Sequence, residues 1–117
     1  MKTILIVDDE PNIRFLFKDE LSKQGYSIIE ANNGLVALKQ LEKNDVDLII
    51  LDIMMPQMDG LDFLTKLRQS DKKIPVILCT AYGQHKQDLV SWAADRYIVK
   101  SGDLSELKKC VWDLLPL

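Results

Sequence analysis

The chain has 117 residues, of which 47% are hydrophobic and 28% charged, and its net charge is −3. That length fits one domain whose core needs no covalent staples. The composition contains no apolar run near the roughly 20 residues of a membrane helix, and no basic block of the kind a nucleic-acid surface uses.

The first residues, Met1-Lys2-Thr3-Ile4, run straight into a strand, with no signal-peptide pattern, so a cytoplasmic protein is expected. Thr3 to Val7 reads as a buried strand. Pro11 to Gln24 reads as a helix, with Pro11 in its first turn, an apolar stripe of Ile13, Leu16, Phe17 and Leu21, and Gly25 as its stop. Phe15 lies off that stripe, either as a singly exposed aromatic or as a contact for a partner's helices. A short strand over Ser27 to Glu30 leads through an Asn33-Gly34 turn to a helix marked by Val36, Leu38 and Leu41. Val46 to Leu51 is the third strand, apolar except for Asp47. After a Met-Pro loop, Asp59-Gly60 opens a helix carrying Leu61, Phe63, Leu64 and Leu67. Pro75 to Cys79 is the fourth strand, followed by the weakest helical pattern of the chain, over 84–93. Arg96 to Val99 is the fifth strand. Asp103 is expected to cap a last helix with the stripe Leu104, Leu107, Val111 and Leu114.

Five strands alternating with five helices predict an α/β domain, a parallel sheet covered on both faces. With right-handed crossovers it becomes a doubly wound, flavodoxin-like sheet of order 2-1-3-4-5, whose switch point lies between strands one and three. One domain over 1–117, with no second domain within this chain, is the expected organisation, equally for a stand-alone domain and for one cut from a longer protein.

Chemistry concentrates at the strand ends. The run Leu48-Ile49-Ile50-Leu51 ends on Asp52, and Ile4-Leu5-Ile6-Val7 ends on Asp8-Asp9-Glu10. An unpaired buried carboxylate is costly, so acids in these places call for a partner. Thr80 ends the fourth strand and Lys100 the fifth. Alone, Asp8 and Asp9 are compatible with a helix N-terminal charge pair, Thr80 with a strand-end hydroxyl and Lys100 with a solvated charge; the shared sheet edge sets them apart. Three carboxylates against one ammonium favour a hard dication with oxygen ligands, and Mg²⁺ fits best. With a phosphoryl donor, Asp52 becomes a nucleophile, Asp9 and Asp52 hold the metal, Asp8 acts through a water, and Lys100 and Thr80 hold phosphoryl oxygens. Neither Cys79 nor Cys110 belongs to a CxxC pair, so both read as packed free thiols. His85 is the one histidine, so a histidine metal site or triad has almost nothing to build on, and His85 reads as a solvated surface residue.

The set Asp8-Asp9-Glu10, Leu51-Asp52-Ile53-Met54-Met55-Pro56-Gln57-Met58-Asp59-Gly60, Thr80-Ala81-Tyr82 and Tyr97-Ile98-Val99-Lys100 strongly resembles the receiver domain of two-component response regulators, over essentially the whole chain. The resemblance implies phosphorylation of Asp52 by a phosphohistidine on a sensor kinase or histidine phosphotransferase. It also implies that the Met54 carbonyl completes the Mg²⁺ shell, and that Thr80 and Tyr97 act as the switch pair that alters the surface for a downstream protein partner. Direct nucleic-acid or membrane binding is not implied. Thr80-Ala81-Tyr82-Gly83 and Leu115-Pro116-Leu117 resemble stand-alone receivers in particular.

Two features depart from the family pattern. Ser101 stands where a proline usually follows the lysine, which leans the Lys100–Ser101 bond toward trans because a non-proline cis bond costs about 2.5–4 kcal/mol. The interval from Thr80 to Lys100 also runs roughly two residues short, so the fourth helix is expected to be short or irregular. Three rival readings differ in their chemistry. A degenerate receiver would serve only as an interaction module. An aspartate-nucleophile phosphatase would want an acid where Met54 stands. A flavin carrier would want a Ser/Thr/Gly-rich loop in place of Asp8-Asp9-Glu10-Pro11.

Overall fold

A computed structural model describes residues 1–52, 60–80, 94–100 and 103–117. Within them the chain runs β1 (Thr3–Val7), α1 (Pro11–Lys23), β2 (Ser27–Ala31), α2 (Gly34–Lys43), β3 (Leu48–Leu51), α3 (Gly60–Gln69), β4 (Val76–Thr80), β5 (Arg96–Val99) and α4 (Ser105–Leu114). The five strands form one parallel sheet of order β2-β1-β3-β4-β5, as expected. The four helices belong to the described residues. The helix expected over 84–93, with His85 in it, lies outside them, as do Met54, Tyr82, Ser101 and the peptide bond of Ser101.

Two apolar layers flank the sheet. One joins Leu5, Val7, Ile49, Leu51 and Leu78 to α2 and α3 through Ala37, Leu41, Phe63, Leu64 and Leu67. The other joins Ile4, Ile6, Ile50, Ile77 and Ile98 to α1 and α4 through Phe17, Leu21, Leu107 and Val111. Alternate residues of each central strand thus enter opposite layers, which is why these strands read as unbroken apolar runs. Leu16 departs from its expected place in the stripe of α1 and is 37% exposed. The buried line runs through Phe17 and Leu21, with Ile13 packed beside it, and Leu16 is rotated off that line by one residue's turn of about 100°. Phe15 is largely exposed, as its position off the stripe implied.

Several boundaries differ from the expected ones for physical reasons. Asn33-Gly34 is a helix start and not a free turn: Asn33 caps α2, its Oδ1 accepting the Val36 N–H at 2.9 Å. β3 begins at Leu48, because Asp47 clamps the start of β1. Its Oδ2 accepts the Thr3 N–H at 2.8 Å while its own N–H donates to the Thr3 carbonyl, also at 2.8 Å. Asp103 sits one residue before the N-cap position, Leu104, and accepts the Ser105 N–H at 2.9 Å.

The end of α1 shows why Gly25 is needed. The Gly25 N–H donates to Ser22 O at 3.0 Å and the Tyr26 N–H to Leu21 O at 3.3 Å, the paired bonds of a Schellman stop. Gly25 has φ 104°, and a Cβ there would lie 3.1 Å from Leu117 Cδ1. Next to it, Tyr26 is buried and its hydroxyl donates to Leu115 O at 2.6 Å, tying this corner to the end of α4. Tyr26→Phe orphans that carbonyl and is expected to cost about 1–2 kcal/mol. Urea unfolding at unchanged slope would show it; no shift in midpoint would mean that water replaces the phenol.

Candidate functional site

Both central acids continue the sheet. The Asp8 N–H donates to Ala31 O at 3.1 Å and the Asp52 N–H to Val7 O at 2.9 Å. Since Val7 pairs with Leu51, each carboxylate stands one residue beyond its strand, at the carboxyl edge where doubly wound sheets place their sites. Asp8 and Asp52 are 2% and 5% exposed. Their common partner comes from the far side of the sheet. Lys100 follows β5, and its Nζ lies 2.8 Å from Asp8 Oδ2 and 3.1 Å from Asp52 Oδ2. The three residues read from separate strand ends therefore meet at one nitrogen.

Glu10 joins them, its Oε1 3.7 Å from Lys100 Nζ. Carboxylate oxygens of Asp8, Asp9 and Glu10 also lie within 4.8 Å of one another. Three carboxylates thus share one ammonium, with Asp9 grouped beside two of them, and Glu10 is one more acid than the sequence assigned. Glu10 was visible in the sequence as a neighbour of Asp9. Its reach to Lys100 follows from its place at the N-cap of α1, which turns the chain back over the sheet edge. Arg14 is a second residue that the sequence did not single out. Its Nη1 donates to the Asp8 carbonyl at 2.7 Å. The backbone of Thr80 ends β4 opposite Val99, and Tyr97 is half-buried against the α2/α3 layer.

The electrostatics follow from one cation among several acids. Burial pushes the Lys100 ammonium down, but the hydrogen bonds and charges of Asp8 and Asp52 outweigh it and hold the group above the ordinary lysine range. For Asp8 the balance tips the other way. Burial raises its carboxyl above the usual value, aided by the Asp52 charge and opposed by Lys100 and by the Glu10 N–H. One ammonium thus falls short of compensating the buried acids, and the site favours further positive charge. Cys79, beside this edge on β4, takes no part: burial pushes its thiol up to about 12, so it stays protonated at neutral pH.

This arrangement can do two things. Its oxygens can bind a small hard cation, and Asp52 offers a preoriented carboxylate beside an ammonium that can neutralise an incoming anion.

The chain is similar to known proteins over almost its whole length. Residues 4–111 match the family described as response regulator receiver domain. Sporulation initiation phosphotransferase F of Bacillus subtilis (strain 168) is 39% identical over 116 residues, covering 97% of this chain and 94% of that protein. The crystal structure of response regulator TrrA from Thermotoga maritima in complex with Mg(2+)-BeF is 51% identical, with a TM-score of 0.92, and covers 98% of this chain and 100% of that one. TrrA in complex with the histidine kinase ThkA gives 50% identity and a TM-score of 0.89, covering 98% of this chain and 99% of TrrA. With the family match spanning residues 4–111 and a relative 39% identical over 97% of its length, the chain belongs to the response regulator receiver domain family.

Proposed function

We propose that this domain accepts a phosphoryl group on Asp52 from a phosphohistidine of a partner kinase or phosphotransferase, in two-component or phosphorelay signalling. The observation that carries the reading is Asp52 itself: a buried carboxylate at the end of β3, with Lys100 Nζ at 3.1 Å. The receiver family is a phosphoacceptor signalling family, and the complex of TrrA with ThkA supports a histidine kinase as the donor.

A carboxylate oxygen of Asp52 attacks phosphorus, an O–P bond forms, and the P–N bond breaks with its electron pair passing to the imidazole. The strand ladder holds Asp52 in place through its N–H, and Lys100 neutralises charge on the phosphoryl oxygens. The donor set fits Mg²⁺. Asp8 and Asp9 offer hard oxygens, the cluster carries excess negative charge, and TrrA was crystallised with Mg(2+)-BeF. When bound, Mg²⁺ supplies positive charge to the phosphoryl oxygens. Asp8, Asp9 and Asp52 would hold it with the Met54 carbonyl, which lies outside the described residues. Thr80 is assigned a phosphoryl oxygen, and Tyr97 the relay of that contact to the surface. These residues are the domain's own aid to its phosphorylation and dephosphorylation, without turnover of a substrate pool. Two free cysteines suit the reducing cytoplasm in which we place it.

The direct test is incubation with Mg²⁺ and a small phosphodonor, followed by intact mass. Wild type is expected to gain one phosphoryl group, and Asp52→Ala none. A wild type that stays unmodified, or an adduct that survives in Asp52→Ala, would leave a phosphorylation-independent interaction module as the better reading.

A further inference from the structure

Asp8 is held at four polar atoms. Its N–H donates to Ala31 O, its Oδ1 accepts the Glu10 N–H at 2.9 Å, and its Oδ2 pairs with Lys100. The fourth atom, its carbonyl oxygen, accepts from Arg14 Nη1 at 2.7 Å. The same guanidinium is steered from a second element. Arg14 Nε donates to Glu30 Oε1 on β2 at 3.3 Å, and the other Glu30 oxygen lies 3.6 Å from Lys18 Nζ. The Arg14 side chain is only 17% exposed. A planar fork serves the carbonyl and the carboxylate from two separate nitrogens held in fixed geometry, whereas a lysine would have to reach both from a single nitrogen. The contact falls just past Val7, the last strand residue, where the chain turns into the Asp8-Asp9-Glu10 segment.

We propose that Arg14, oriented by Glu30, is a positioning residue: it anchors the turn after β1 so that the Asp8 and Asp9 carboxylates are preset for a divalent cation. This rests on the reading of those two residues as Mg²⁺ ligands. The proposal is separable from a simple charge effect, because the two have opposite signs. A cation beside a dication site weakens metal binding by repulsion, so removing it would tighten binding. Loss of an anchor weakens binding, since outer partners that orient ligands typically govern metal affinity.

The test is Mg²⁺ titration of the unphosphorylated full chain by calorimetry at fixed ionic strength, with urea unfolding in chelator as a check on folding. Arg14→Ala is expected to weaken Mg²⁺ binding by roughly 10-fold, the low end of the range usual for outer-shell partners. Arg14→Lys keeps the charge and loses the fork, and is expected to restore only part of that loss. Glu30→Ala weakens binding less, and adding it to Arg14→Ala brings no further loss, because Glu30 acts through Arg14; independent charges would instead add. Equal or tighter binding in Arg14→Ala, or wild-type affinity in Arg14→Lys, overturns the inference while leaving the metal reading intact. A wild type that binds no Mg²⁺ overturns both.

Discussion

Lys100→Met is expected to cost the metal-free protein about 3 kcal/mol near neutral pH, the low end for removing one partner of a buried ion pair, and to suppress phosphorylation of Asp52. Met fills much of the volume of the lysine stem, so the loss is mainly electrostatic. It leaves Asp8 and Asp52, 2% and 5% exposed, facing each other without their shared cation. The sign of the pH dependence follows from Asp8. Burial already raises its folded pKa above the ordinary 3.8, and removing Lys100 raises it further. A carboxyl with a raised folded pKa binds its proton more readily when folded. The protein therefore loses stability as pH rises from about 3.8 through that raised value, and regains it on acidification. The deficit of Lys100→Met should thus shrink between pH 7.5 and pH 5.

In wild type the Lys100 ammonium has a raised pKa, so its contribution is complete below the ordinary value of 10.5 and is lost only as pH rises beyond it. That places its loss outside the neutral range. Mg²⁺ should bind Lys100→Met more tightly than wild type, since a competing cation has gone, and should recover part of the lost stability by mass action. Urea unfolding at the two pH values, with and without Mg²⁺, reads all of this. A deficit equal at both pH values and indifferent to Mg²⁺ would assign the loss to packing of the lysine stem.

What the sequence shows of this site depends on which contacts are local. Asp8 and Asp52 stand out because each ends an apolar run, and the parallel order that joins their strands follows from alternating elements. Lys100 becomes visible once five strands are counted. Arg14 and Glu30, sixteen residues apart, carry no such mark. Each looks like an ordinary charge on its own element, and only the packing of α1 beside β2 makes them a pair. Asp47 and Leu16 differ from their expected places for related reasons. A carboxylate that clamps a neighbouring strand looks like an interruption of its own, and an apolar residue one step off a helical stripe satisfies spacing without being buried. Asn33 was ambiguous because Asn-Gly suits both a turn and a helix start; the Val36 N–H decides for the cap. Ser101 and the helix expected over 84–93, where the two departures from the family pattern bear on the structure, lie outside the described residues.

Phe63→Ala is expected to cost about 3–5 kcal/mol, the usual range for emptying a buried aromatic site. Phe63 is fully buried and stands first among the large side chains of the core. It packs with Leu64 and Leu67 of α3 against Leu5, Val7, Ile49, Leu51 and Leu78, so the hole opens between the helix and the central strands rather than at a rim that could collapse. Against a typical total of about 5–15 kcal/mol, that removes a large share of the stability of the domain. It should do so without altering the site directly. Asp8 and Asp52 are held by their backbone bonds to Ala31 and Val7 and by Lys100, none of which involves the Phe63 ring. The folded fraction of Phe63→Ala should therefore bind Mg²⁺ with near wild-type affinity, in contrast to Arg14→Ala, which is expected to fold and bind poorly. Urea unfolding paired with Mg²⁺ titration at low temperature measures the two quantities separately. A Phe63→Ala protein that is fully folded yet has lost Mg²⁺ affinity would mean that the α2/α3 layer, and not the strand ladder, sets the positions of the carboxylates.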